Sequence, residues 1–162
     1  MSKGKSMSIL LVIIMIVGGI LIVNNKEKVN QDDDIFLDET ESKIVLYFSN
    51  MKTGELTKEY RVVNIENIKD DMPNTIINEL LKGPGNEELT STIPNETKVN
   101  SIVTEENKII VDFSEEYARE NEDELQNLHK IYSVVNSITE ITEINEVEIK
   151  VNGEIIASKK RL

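Results

Sequence analysis

The pattern of apolar and polar positions divides the chain into three kinds of stretch. Met7 to Val23 is almost uninterrupted apolar sequence. Asn24 to Glu41 is polar, and its only apolar cluster is Ile35-Phe36-Leu37. From Ser42 onward the pattern changes between a period of two and a period of three to four, the signature of strands mixed with helices. Lys43 to Phe48 and Leu56 to Val63 read as strands joined through Lys52-Thr53-Gly54 as a hairpin. Asp70-Asp71-Met72-Pro73 reads as a helix start, since proline suits the first turn and aspartates suit the positive helix end. Ile76, Ile77, Leu80 and Leu81 form the buried face of that helix. Gly83 supplies a left-handed cap and Pro84 ends it.

Glu87 to Asn95 is expected as a loop or a short helical turn. Lys98 to Thr104 and Lys108 to Phe113 then pair as a hairpin around Glu105-Glu106-Asn107. Ser114 offers an N-cap hydroxyl to a turn at Glu115-Glu116-Tyr117. A long amphipathic helix is predicted from about Asp123 to Thr139. Its stripe is Leu125, Leu128, Ile131, Tyr132, Val135 and Ile138, at steps of three and four. Val147 to Val151 alternates as a strand, Asn152-Gly153 turns the chain, and Ile155-Ile156 adds a short return strand. The tail from Ser158 to Leu162 is expected to fray.

Such an inventory implies an α+β fold: one small mixed or antiparallel sheet with two helices on one face. The expected divisions are a cytoplasmic N-terminus at 1–6, a transmembrane anchor at 7–23, an acidic linker at 24–41, the α+β domain at 42–158 and a basic tail at 159–162.

As a helix, Met7–Val23 reaches roughly 25 Å, just short of a bilayer core of about 30 Å. Lys5 and Lys26 are placed to snorkel across the difference. Lys3 and Lys5 before the run favour the N-terminus inside. A cleaved signal peptide is the competing reading, but Ile20-Leu21-Ile22-Val23 offers no small-x-small cleavage site.

Charge and composition narrow the function. The chain has 18 basic and 30 acidic residues. Setting aside Lys3 and Lys5 leaves 16 against 30, a balance of −14. Such a surface is repelled by nucleic-acid phosphates and anionic headgroups, so no nucleic-acid partner is expected. Without cysteine there is no disulfide framework, thiolate metal site, thiol nucleophile or lipid-modified cysteine. Asp32-Asp33-Asp34 lacks the spaced ligands and sharp-turn glycine of an EF-hand loop, so it reads as part of a solvated spacer.

Candidate chemistry is sparse. His129, the one histidine, lies at the flank of the long-helix stripe, where no motif supplies it with partners. Asp112 could form an acid/base couple with Glu115 or Glu116, as paired carboxylates do; the structural alternative is a bond to backbone N–H groups near the following helix start. Asn136 sits at the edge of the stripe as a polar anchor to a loop or strand. Glu115, Glu116, Glu120, Glu122, Asp123 and Glu124 make the densest acidic run, either a solvated helix entrance or a contact surface for a basic partner. Gly83-Pro84-Gly85 is a helix stop and not a phosphate cradle. No catalytic, cofactor or metal site is assigned.

Val111-Asp112-Phe113-Ser114 with Tyr117, the run Ile131 to Thr139, and Val147 to Gly153 follow in an order that resembles the GerMN domain of sporulation and spore germination. Leu46-Tyr47-Phe48, Glu79-Leu80-Leu81-Lys82-Gly83-Pro84 and Thr92-Ile93-Pro94 extend the resemblance, which covers Ser42 to Gly153. It departs at Arg119-Glu120-Asn121-Glu122-Asp123, where the family often has a small Gly/Ser segment. The resemblance implies a ring-building-like α+β unit that works outside the cytoplasm of a Gram-positive bacterium, by contact with envelope or sporulation proteins or with copies of itself. It implies no enzymatic activity. A cell-wall- or ligand-binding regulatory module at the membrane is the alternative.

Overall fold

The computed structural model describes residues 39–119 and 123–160. The Met7–Val23 run and nearly all of the linker lie outside the described residues. Among the described residues, no helix is long and apolar enough to cross a membrane. Strand β1 (Glu41–Asn50) turns through Gly54, at φ +70°, into β2 (Leu56–Asn64), and the two pair antiparallel from Glu41↔Asn64 to Ser49↔Leu56. On β1, Ile44, Leu46 and Phe48 alternate into the core.

Helix α1 (Ile65–Leu81) begins earlier than its proline suggests. Asn64 caps it, its side-chain oxygen accepting from the Glu66 N–H at 2.8 Å. At Asp71 the backbone leaves helical values, and Asp71 Oδ1 accepts from the Asn74 N–H at 3.1 Å. A second helix start thus falls where Asp71-Met72-Pro73 places it, while the turns from Ile65 were not foreseen. Ile76, Ile77 and Leu80 are buried, and Gly83 ends the helix at φ +80°, a conformation glycine adopts without penalty.

A two-residue strand β3 (Leu89–Thr90) pairs with Asn50 and Ser49 at the end of β1. Then come β4 (Val99–Glu105) and β5 (Lys108–Phe113), a hairpin closed around Glu106-Asn107. A 3₁₀ turn (Glu115–Ala118) and helix α2 (Glu124–Ile141) cross over to β6 (Glu146–Val151), which runs parallel to β5, as a long connection allows. Asn152 and Gly153, both at positive φ, turn β6 into β7 (Glu154–Lys160). The expected short return strand is therefore seven residues long, and Lys160 pairs with Glu146 where fraying was expected.

The strands form two sheets, ordered β2-β1-β3 and β4-β5-β6-β7, and not one. The reason lies along the edge of β1. Beyond the two residues paired with β3, that edge meets α2: the Tyr47 N–H donates to Ser137 Oγ at 3.0 Å. A helix hydroxyl satisfies a group that a neighbouring strand would otherwise take. Helix α2 touches β1, α1 and β6, so it packs on strands of both sheets. Its residues Ser133 to Thr139 are all buried, whereas Leu125 and Leu128, expected in the core stripe, are 51% and 42% exposed.

Candidate interaction surface

The first two turns of α2 face the end of the β1–β2 hairpin across an open groove of about 760 Å³. Leu125, Leu128 and Tyr132 form one wall and Leu56 with Tyr47 the other. Asp123 fixes the helix start, its Oδ1 accepting from the Leu125 N–H at 2.9 Å. Helical spacing then carries Leu125, Leu128 and Tyr132 to one side, with Asn136 one turn further. Asn136 is 8% exposed, lines the groove, and its Oδ1 has no hydrogen-bond partner. Glu55 is the one carboxylate in the lining and forms no ion pair among the described residues.

Beside the groove, the Tyr47 hydroxyl donates to Glu140 Oε2 at 2.8 Å, and Lys58 Nζ lies 2.6 Å from Glu140 Oε1. Burial and the bond to Glu140 push the Tyr47 hydroxyl up from its ordinary value. The bonds to Glu140 and Tyr47 push Lys58 up as well. Both groups keep their protons at neutral pH, which suits structural donors and not nucleophiles.

The residues singled out in the sequence are scattered. His129 is half-buried on a ridge between the groove and a hollow of about 280 Å³ lined by Ser49, Thr92 and Pro94. Asp112 Oδ1 accepts from the Gly153 N–H at 3.1 Å. It does bond a backbone N–H, but that of the β6–β7 turn and not of the following helix start. Asn100 joins it there, donating to the Phe113 carbonyl at 2.9 Å. Ser114 precedes the 3₁₀ turn without capping it: the hydroxyl accepts from the Lys98 N–H at 2.9 Å and donates to Glu116. That bond to the Ser114 hydroxyl holds the Glu116 carboxyl below its usual range. Asp112 and Glu116 thus each have a local structural partner. Of the acidic run, Glu120 and Glu122 lie outside the described residues, Asp123 is the α2 cap, and Glu115 is exposed.

Two networks had no counterpart in the sequence reading. Tyr117 stacks on Phe113 with ring centres 4.5 Å apart and donates its hydroxyl to the Lys130 carbonyl at 3.1 Å. Lys130, itself buried, sends Nζ to the Arg119 carbonyl at 2.8 Å and lies over the Tyr117 ring. A lysine flanking a predicted stripe gives no hint of this; only the tertiary fold brings Tyr117 beneath it. In the second network, Arg61 Nη1 and Nη2 donate to the carbonyls of Glu79 and Gly83, each at 2.8 Å, and the guanidinium pairs with Glu59. Glu59 in turn accepts from the N–H groups of Gly85 and Asn86 at 2.9 and 3.0 Å. Burial raises the Glu59 carboxyl, but those two N–H groups and Arg61 outweigh it and leave it below its ordinary value. The helix stop Lys82-Gly83-Pro84 is in this way tied to β2. Among the described residues, no group of three or more His, Asp or Glu could hold a metal ion.

A family described as "Germane: Sporulation and spore germination" matches residues 45–157. The fold is similar to two solved structures from Bacillus subtilis. Against the tandem GerMN domains of the sporulation protein GerM the TM-score is 0.61 at 19% identity, over 78% of this chain and 47% of that one. Against the first GerMN domain of GerM it is 0.56 at 20% identity, over 71% and 86%. The chain therefore spans about half the length of the tandem-domain structure. No curated protein sequence matches. With most of its length matched, from β1 to β7, the chain belongs to the Germane (GerMN) family of sporulation and spore germination domains.

Proposed function

We propose that this chain is a single-pass membrane protein, anchored by Met7–Val23, whose GerMN domain stands outside the cytoplasm and serves sporulation or germination by contact with other proteins and without catalytic turnover. The observation that carries the reading is the groove, whose wall on α2 is made of half-exposed leucines. A soluble surface seldom keeps apolar walls open unless something docks there. Family membership supports the sporulation setting. The uninterrupted apolar run supports the anchor. Anchoring raises local concentration, so individually weak contacts suffice for assembly.

Complementation of a deletion strain in a spore-formation assay tests the reading. Asp112→Asn and Glu116→Gln should restore spores, because each keeps its local bonding without an ionised carboxylate. Deleting Met7–Val23 should abolish rescue at equal protein level. Protease added to intact protoplasts should remove the domain. Full rescue by an unanchored domain would overturn the anchored reading. Loss of rescue with either carboxamide variant at normal level would reopen catalysis.

A further inference from the structure

We infer that the groove between the β1–β2 hairpin and the start of α2 is a docking site for a partner polypeptide, which inserts a short apolar stretch flanked by Lys or Arg. The inference deepens the interaction reading above and rests on it.

Three observations determine the chemistry of the occupant. The walls are largely apolar: Leu125 at 51% and Leu128 at 42% exposure, with Tyr132, face Leu56 and Tyr47, and an inserted aliphatic side chain would remove the leucines from water. At about 760 Å³ the groove falls within the size range of sites that hold a ligand of several residues' bulk. Next is the polar feature in the lining. Asn136 is more than nine-tenths buried, yet its Oδ1 has no partner, and buried carboxamides are ordinarily satisfied. A carboxamide carries a donor and an acceptor in one plane, the complement of a peptide unit laid along the groove.

The third observation is charge. The lining contains Glu55, unpaired among the described residues, and no Lys or Arg. Glu124 adds a carboxylate one residue before Leu125 and one helical turn before Leu128. Nearby cations are already engaged, Lys52 with Glu88 and Lys58 with Glu140. A basic flank on the incoming segment is therefore favoured and an acidic flank repelled. The chain's own Ile35-Phe36-Leu37 fails this criterion, lying between Asp32-Asp33-Asp34 and Asp38-Glu39.

The test uses the full chain in zwitterionic-lipid nanodiscs, with empty discs subtracted. Fluorescein-labelled peptides carry an Ile-Val-Leu-Val core between Lys-Lys, Ser-Ser or Glu-Glu flanks, and binding is read by fluorescence anisotropy. The Lys-flanked peptide should bind at least tenfold more tightly than the Glu-flanked one, with the preference shrinking as salt is added. Glu55→Lys should reverse the order of the two. Leu128→Asp should weaken all three at least tenfold with an unchanged circular dichroism spectrum, and Leu128→Gln provides the same readout should the aspartate disturb folding. No binding by any peptide, equal binding by all three flanks, or insensitivity to both Leu128 variants would overturn the inference. So would concentration-dependent self-association lost on Leu128→Gln, which would make a second copy the occupant, or competition by peptidoglycan fragments. Spore rescue by the anchored chain is a separate readout: lost peptide binding with rescue intact overturns the groove alone, and loss of rescue by the carboxamide variants with peptide binding intact overturns the non-catalytic reading alone.

Discussion

In the second half of α2, Ser133 to Thr139, every side chain is buried, serines and threonine included; in the turns just upstream, Leu128 stands 42% exposed and Leu125 51%. The apolar residues of both halves belong to one stripe in the sequence. What differs is what lies opposite. The later half packs on strands of both sheets, where small Ser137 meets the edge of β1 and accepts from Tyr47, and Ser133 accepts from Thr92. The earlier half faces a hairpin turn built from Thr53, Gly54 and Glu55, which has little side-chain bulk to cover leucines. Periodicity marks which side of a helix is apolar. Whether that side becomes core or surface is decided by the neighbour.

The sharpest way to break this comparison is to empty a site in the buried half. Ile138 is fully buried, so Ile138→Ala should cost about 2–5 kcal/mol. Urea titration of residues 37–162 should show a much lower midpoint; a shift no greater than that of a half-exposed leucine would mean that the two halves pack alike. Next in size is Ser137→Ala. It leaves the buried Tyr47 N–H without its acceptor, a loss of about 1–3 kcal/mol. Ser137→Thr keeps an oxygen at the same position and should recover part of that loss where the extra methyl is accommodated.

How much of this was legible in the sequence follows from the same contrast. Strands β1, β2, β4, β5 and β6, the Asn152-Gly153 turn and the Gly83 stop were readable, because local chemistry determines them: alternation, positive φ, a proline after the cap. The early start of α1 was missed because Asn64 ends a strand and caps a helix at once, and the strand pattern masked the cap. The division into two sheets depended on Ser137 bonding to a residue 90 positions away, and periodicity carries no such information. Two small hydroxyl residues at i and i+4, Ser133 and Ser137, were the available sign that the helix lies close to another backbone. The groove was hidden for the complementary reason. Leu125 and Leu128 read as core until the hairpin opposite them proved too short to bury them.

The contrast between satisfied and open polar groups also holds for carboxylates on β2 and its turn. Glu59 is held by Gly85, Asn86 and Arg61, while Glu55 has no ion pair among the described residues. Because the folded state lowers the Glu59 value, its contribution to stability is fully present above the ordinary glutamate value of 4.5. It fades as pH falls through the lower folded value. Glu59→Gln should cost about 1.5 kcal/mol at pH 7, the scale of hydrogen bonds to a charged group, and should flatten the acid limb of the stability curve. Glu55→Gln should leave stability at pH 7 unchanged. Equal acid limbs for wild type and Glu59→Gln would show that the cluster does not stabilise the fold.

The smallest expected effect is the most informative about the groove. Leu128 keeps 42% of its surface in water, so Leu128→Ala gives up only part of a leucine's transfer free energy, about 1 kcal/mol or less. The sequence stripe alone would place Leu128 beside Ile138 and expect a full core penalty. Urea midpoints for Leu128→Ala and Ile138→Ala, measured side by side, decide between the two descriptions. A large loss for Leu128→Ala would mean that something in the full chain covers it and that the groove is core. A small loss, together with weaker binding of the Lys-flanked peptide, would assign the leucine to contact, since a side chain kept half in water adds little to the fold. Its apolar surface is then available to whatever docks there.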